Sequence, residues 1–135
     1  MAREQRHTTP PTLADIDAIA RSVLLILPEV LRRRVTGVVL RVEEVCDVET
    51  ETEMDLESPF DLLGLYRGTS LPRRSVLDPG GAPPDMIFLF RRPILDYWCE
   101  SGEDLTRLIR HVMIHEIGHH FGFSDEDMER IEGMV

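Results

Sequence analysis

The chain has 135 residues, five histidines, two cysteines and a formal charge of −10 at pH 7. That length supports a single domain with a core of its own. The negative balance argues against general nucleic-acid binding, where phosphate contacts supply most of the affinity. No apolar run approaches the length of a membrane helix.

Residues 1–11 are polar, lack the apolar stretch of a signal peptide, and are expected to be a disordered tail. Residues 12–135 are expected to form one domain. From Leu13 to Val35 the apolar positions Ile16, Ile19, Ala20, Val23, Leu24, Leu27 and Leu31 recur at helical spacing. Thr12 is placed to cap this helix, with Asp15 three residues on, and Pro28 should kink or divide it. The valine-rich stretch from Val38 to Val45 reads as a strand. Between residues 49 and 57, Glu49, Glu51, Glu53, Asp55 and Glu57 alternate with other residues. The alternation fits no calcium-loop pattern and reads as a solvated loop or edge segment.

Leu62 to Arg67 reads as a second strand, with Gly64 marking a bulge or a close backbone approach. Gly68 to Pro84 is rich in proline and glycine and reads as a long loop. Met86 to Phe90 is continuously apolar, as in a buried strand. Pro93 to Glu100 reads as a short helix with Leu95, Tyr97 and Trp98 on the core. Cys46 and Cys99 form no C-x-x-C pair and are expected to be buried free thiols, with a disulfide between them left open. Arginine clusters at Arg32–Arg34, Arg73-Arg74 and Arg91-Arg92 read as solvated faces or partners for the many carboxylates.

The last third of the chain carries the chemistry. Leu105, Leu108, Ile109, Val112 and Ile117 give the apolar stripe of a helix from about Glu103 to Phe121, with Ser101 as its N-cap. On it lies His115-Glu116-Ile117-Gly118-His119, an H-E-x-x-H motif. Residues four apart share a helix face, about 5–6 Å apart at Cβ, so His115 and His119 can hold one ion between them. Glu116, one residue round the helix, can reach a water on that ion without binding the ion itself, the place of a general base in zinc hydrolases. Gly122 can end the helix in a left-handed conformation and turn the chain back, so that Asp125 approaches the open side of the ion. Two histidines and a carboxylate leave a coordination position free, as in catalytic rather than structural zinc sites.

Geometry ranks the other candidate ligands lower. His111 lies one turn before His115, but it is eight residues from His119, about 12 Å along the axis; it reads as a partly buried polar residue near the site. His120 points roughly 100° away from His119 and reads as a packing or surface residue. Glu126, Asp127 and Glu129 are better placed to start a short last helix, Ser124 to Ile131, where first-turn acids suit the dipole.

The motif with its glycine and aspartate, H-E-x-x-H-x-x-G-x-x-D, resembles the metzincin group of zincin metallopeptidases. Leu62-Leu63-Gly64-Leu65-Tyr66-Arg67-Gly68, then Asp85 through Leu95, then the motif, resemble in the same order a small bacterial family of zinc metallopeptidases with a minimal zincin fold. The resemblance covers roughly the C-terminal half. It implies one zinc on His115, His119 and Asp125, Glu116 as base, and an extended substrate added to an edge strand beside the metal helix. Two departures stand out. Only sixteen residues follow His119, with Met128 and Met134 as candidates for the methionine turn of metzincins and neither in a recognisable turn. No distal histidine or tyrosine follows to stabilise an oxyanion, leaving zinc itself with Tyr66 or Tyr97, and a thermolysin-like glutamate from far downstream has no chain to carry it.

The expected fold is therefore α+β: a small zincin-like domain with a three- to four-stranded sheet packed against the metal-binding helix. The expected activity is zinc-dependent hydrolysis of a peptide or protein substrate in the cytoplasm, with neither nucleic acid nor membrane as partner. The rival expectations are a zinc-binding peptide-recognition or regulatory module without useful catalysis, and an amide hydrolase for a small molecule. Two histidines and a carboxylate also suit non-haem iron, though such sites usually lack a glutamate beside the first histidine.

Overall fold

The structure is a computed structural model that describes residues 9–68 and 83–135. Among these are six α-helices and a sheet of three strands. The helices are α1 (Leu13–Ile26), α2 (Glu29–Arg32), α3 (Val48–Glu53), α4 (Arg91–Ser101), α5 (Leu105–His120) and α6 (Asp125–Glu132), and the strands are β1 (Val39–Glu43), β2 (Gly64–Arg67) and β3 (Met86–Phe90). The architecture is the expected α+β. Residues 1–8 and 69–82, which take in most of the expected tail (1–11) and of the expected long loop (Gly68 to Pro84), lie outside the described residues.

Local chemistry sets the element boundaries. Thr12 caps α1 in a reciprocal box with Asp15: the Asp15 N–H donates to Thr12 Oγ1 at 3.1 Å and the Thr12 N–H donates to Asp15 Oδ2 at 2.8 Å. Pro28 separates α1 from α2, so the apolar stripe of residues 13–35 is divided rather than continuous, and it closes in a 3₁₀ turn at Arg33–Val35. Ile16, Ala20, Val23, Leu27 and Leu31 are nonetheless all buried on one side.

The sheet order is β1-β3-β2, with β1 parallel and β2 antiparallel to β3. Register runs Val39 to Met86 through Glu43 to Phe90 on one side, and Gly64 to Leu89 through Arg67 to Met86 on the other. Leu40, Ile87, Leu89 and Tyr66 point to the main core, where α1 packs on β1 and α5 on β2. Gly64 lets α5 approach closely. A Cβ there would meet Val112 Cγ1 at 2.8 Å and the Phe88 carbonyl oxygen at 3.1 Å, so the close-approach reading of this glycine holds. On the other face Leu65, Phe88 and Phe90 gather with Cys46, Leu56 and Leu62 in a smaller apolar cluster.

Several expectations need correction. Residues 48–53 are helical, not a loop or edge segment. Asp47 caps α3 by accepting the Thr50 N–H at 2.7 Å, Glu49 and Glu51 sit at the favourable end of the dipole, and Thr50 is buried. A few polar residues carry no apolar period, so the capping aspartate is the signal that decides this segment. The N-cap of α5 is Asp104, whose side chain accepts the Arg107 N–H at 3.0 Å; Ser101 instead ends α4, followed by a left-handed Gly102. On α4, Trp98 is half-buried against the core, but Tyr97 is 46% exposed. Both cysteines are free; Cys46 is buried as expected, whereas Cys99 is exposed. No helix among the described residues is long and apolar enough to cross a membrane.

Candidate metal centre

The metal-motif helix is α5. Its inner face carries Leu108, Ile109, Met113, Ile114 and Ile117, none more than 2% exposed. The histidines at every fourth position therefore fall on the outer face: His111 and His119 are exposed and His115 is half-buried. The ring centroids lie 4.1 Å apart for His111 and His115, and 5.9 Å apart for His115 and His119.

The helix ends as its sequence requires. Gly122 adopts a φ of +79°. The Gly122 N–H donates to the His119 carbonyl at 3.2 Å and the Phe123 N–H reaches back to the Gly118 carbonyl at 2.8 Å, the two-bond closure of a Schellman turn. Ser124 then caps α6 in a box with Asp127: the Asp127 N–H donates to Ser124 Oγ at 3.1 Å, and the Ser124 N–H donates to the Asp127 carboxylate at 3.3 Å. Hydrogen bonding from the Ser124 hydroxyl and then from the Ser124 N–H holds the Asp127 carboxyl below its ordinary range, with Arg130 adding to the effect.

This sharp return lays α6 back against α5. The contact is made by Met128, fully buried, on Gly118. A Cβ at residue 118 would come within 2.3 Å of Met128 Sδ and 2.7 Å of its Cγ. The second variable position of the motif is thus a glycine for a steric reason. Met128 lies on a helix rather than in a methionine turn. Arg34 braces the turn from the other side, its guanidinium 5.5 Å from the centre of the Phe121 ring and 5.3 Å from that of Phe123.

Because α6 runs back along α5, its two ends meet different histidines. Asp125 Oδ1 stands 3.8 Å from His119 Nε2, with the aspartate side chain 92% exposed. At the other end, Glu132 Oε1 lies 2.7 Å from His115 Nε2 and 2.8 Å from His111 Nδ1, and the glutamate side chain is 27% exposed. Asp125, Met128 and Glu132 are spaced three and four apart, so they share one face of α6. That spacing groups Glu132 with Asp125 and Met128 on one face of α6, but does not say which histidine the face meets. Glu132 lies seventeen residues beyond His115 and gives His111 a specific partner.

Glu116 is half-buried at the inner edge of the histidine face. Burial pushes its carboxyl above the ordinary value, with the neighbouring His119 pulling partly the other way. A carboxylate raised in this way is a stronger base near neutral pH. His120 behaves as a packing residue: its ring lies 4.2 Å from that of Tyr66 and 4.8 Å from that of Phe121. The Tyr66 hydroxyl donates to Asp85 at 2.7 Å. A Cβ on Gly68, at the end of β2, would meet His120 Nε2 at 2.5 Å. Strand β2, at the edge of the sheet among the described residues, therefore runs out beside the last turn of α5.

The donor set suits a borderline divalent ion. Two imidazole nitrogens and one carboxylate oxygen are the ligand types of catalytic zinc, and two of the α6 carboxylates, Asp125 and Glu132, lie next to a motif histidine. Fold and site together thus define a small α+β domain with a metal-type helix under a mixed sheet. Comparison with protein families matches residues 35–134 to the zincin-like metallopeptidases, and the chain belongs to that family. Comparison with curated proteins gives no match. The matched region begins after α1 and α2, although both contribute to the same core.

Proposed function

We propose that this protein is a zinc-dependent hydrolase of peptide bonds, with His115, His119 and Asp125 holding one zinc and Glu116 acting as general base. The observation that carries the reading is the geometry of the return turn: Gly122 ends the motif helix in the left-handed region and Asp125 comes back beside His119. Zinc, when bound, supplies Lewis acidity that acidifies water and polarises a carbonyl. Glu116 takes the proton of the attacking water and passes it to the departing amine nitrogen. Its partial burial and raised carboxyl suit both steps, since the group must accept a proton and then give it up.

The substrate is an extended peptide lying along β2, which is an edge strand among the described residues and the strand on which α5 packs. Backbone groups of β2 would pair with it in the manner of strand addition. The free thiols and acidic composition suit a cytoplasmic protein. A second reading, a zinc-dependent peptide-binding module without turnover, is favoured by one observation: the hydroxyl of Tyr66, one of the two tyrosines that could serve an oxyanion, is already given to Asp85.

Glu116→Gln separates the two. The variant should keep its zinc and lose cleavage of a peptide library by about 10²–10⁴-fold, the usual contribution of a general base. Undiminished cleavage by Glu116→Gln removes Glu116 as the base. A zinc-loaded wild type that binds library peptides and cuts none of them establishes the second reading.

A further inference from the structure

We propose that His111, His115 and Glu132 form a second seat for the same zinc, alternative to the first because both seats use His115. The proposal rests on the reading that α5 binds a divalent metal, and it adds where that metal can reside. Three observations carry it. First, one ligand atom from each of His111, His115 and Glu132 lies within 4.8 Å of the other two. Second, a single Glu132 oxygen is shared by both imidazoles, at 2.7 and 2.8 Å. Third, the donor types match those of the first seat: two histidines four apart on α5 and one carboxylate from α6.

The shared atom makes the seats exclusive. His115 Nε2 faces Glu132, and one imidazole nitrogen binds one metal. Metal held by His111, His115 and Glu132 leaves His119 and Asp125 without it. The seats also differ in shelter. Glu132 is 27% exposed and in contact with both of its histidines, whereas Asp125 is 92% exposed and 3.8 Å from His119. The second seat is the more compact of the two and draws metal away from the position beside Glu116. Glu132 is therefore a competing ligand that lowers the fraction of catalytically seated zinc.

The test uses cobalt(II) as probe on the full chain, with binding read by visible absorption and metal content. The double variant His119→Ala/Asp125→Ala should still bind one cobalt per chain. Adding Glu132→Gln to it should abolish that binding, while Glu132→Gln alone keeps metal. No cobalt on His119→Ala/Asp125→Ala, with normal binding by Glu132→Gln, overturns the second seat and leaves the proposed hydrolase site standing. The reverse pattern keeps the second seat and removes the first. A wild type that binds no cobalt overturns both. Proton NMR of cobalt-loaded wild type requires no variant to fold: a His111 imidazole N–H with the large contact shift of a direct cobalt ligand supports the second seat. Contact-shifted signals from His115 and His119, with only a small through-space shift at the neighbouring His111 ring, overturn it.

Discussion

The two faces of α5 are held in opposite ways. The inner face is fixed many times over, with Ile109, Met113, Ile114 and Ile117 at zero exposure against the sheet and α1. Among the described residues the histidine face meets α6, and α6 is held by the seat of Met128 over Gly118. Packing decides where the helix lies. A single helix–helix contact decides whether the carboxylates of Asp125 and Glu132 reach it. Damage to the first face should cost the fold, and damage to the second should cost the site while sparing most of the fold.

The largest expected effect comes from the inner face. Ile109→Ala removes a fully buried branched side chain and should lower unfolding free energy by about 2–5 kcal/mol. The zinc affinity of the folded fraction should hardly change. A folded Ile109→Ala with lost zinc binding and wild-type stability would break the comparison. Next comes Gly118→Val, which drives a branched side chain into Met128 and should cost about 1–3 kcal/mol by overpacking. Here the ratio reverses: zinc affinity should fall further than in Ile109→Ala although stability falls less. Denaturant titration and metal titration on the two proteins settle the order.

The smallest effect is a pH dependence. Burial raises the Glu116 carboxyl, so in the folded metal-free protein its ionised form is disfavoured relative to the unfolded chain. The folded state therefore binds this proton more tightly, and stability is lost as pH rises through the raised value. Glu116→Gln should melt slightly higher than wild type at pH 7 without metal. That advantage should vanish as pH falls below the ordinary carboxylate range, where Glu116 is protonated in both states. An advantage that grows on acidification would contradict the burial of Glu116.

The fold was legible wherever backbone chemistry left a mark on single residues. Thr12 with Asp15, Pro28, Gly122 and Ser124 each placed a boundary to within a residue or two, because caps and breakers act locally. The run Met86–Phe90 matched its strand without correction. Helix α3 was hidden because its short polar sequence lacks an apolar period, and Tyr97 was misplaced because three neighbouring large residues cannot all face one core. At the candidate site, the pairing of His115 with His119 follows from helix geometry alone. Glu132 does not, because its position depends on how α6 rotates about Met128, a contact across two helices that no spacing within α5 reveals.

The order of the elements in the chain has a consequence for how the molecule is made. The partners of α1 are β1, which follows it closely, and α5, near the opposite end of the sequence, while β1 pairs with β3 across an intervening helix and strand. These pairings close long loops, whose entropy must be met before the contacts return any stability. During synthesis, the buried face of α1 with Ile16, Ala20 and Val23 is not fully covered until α5 has been made. A nascent chain halted ahead of α5 presents a sticky amphipathic helix to its surroundings, a natural target for chaperone capture.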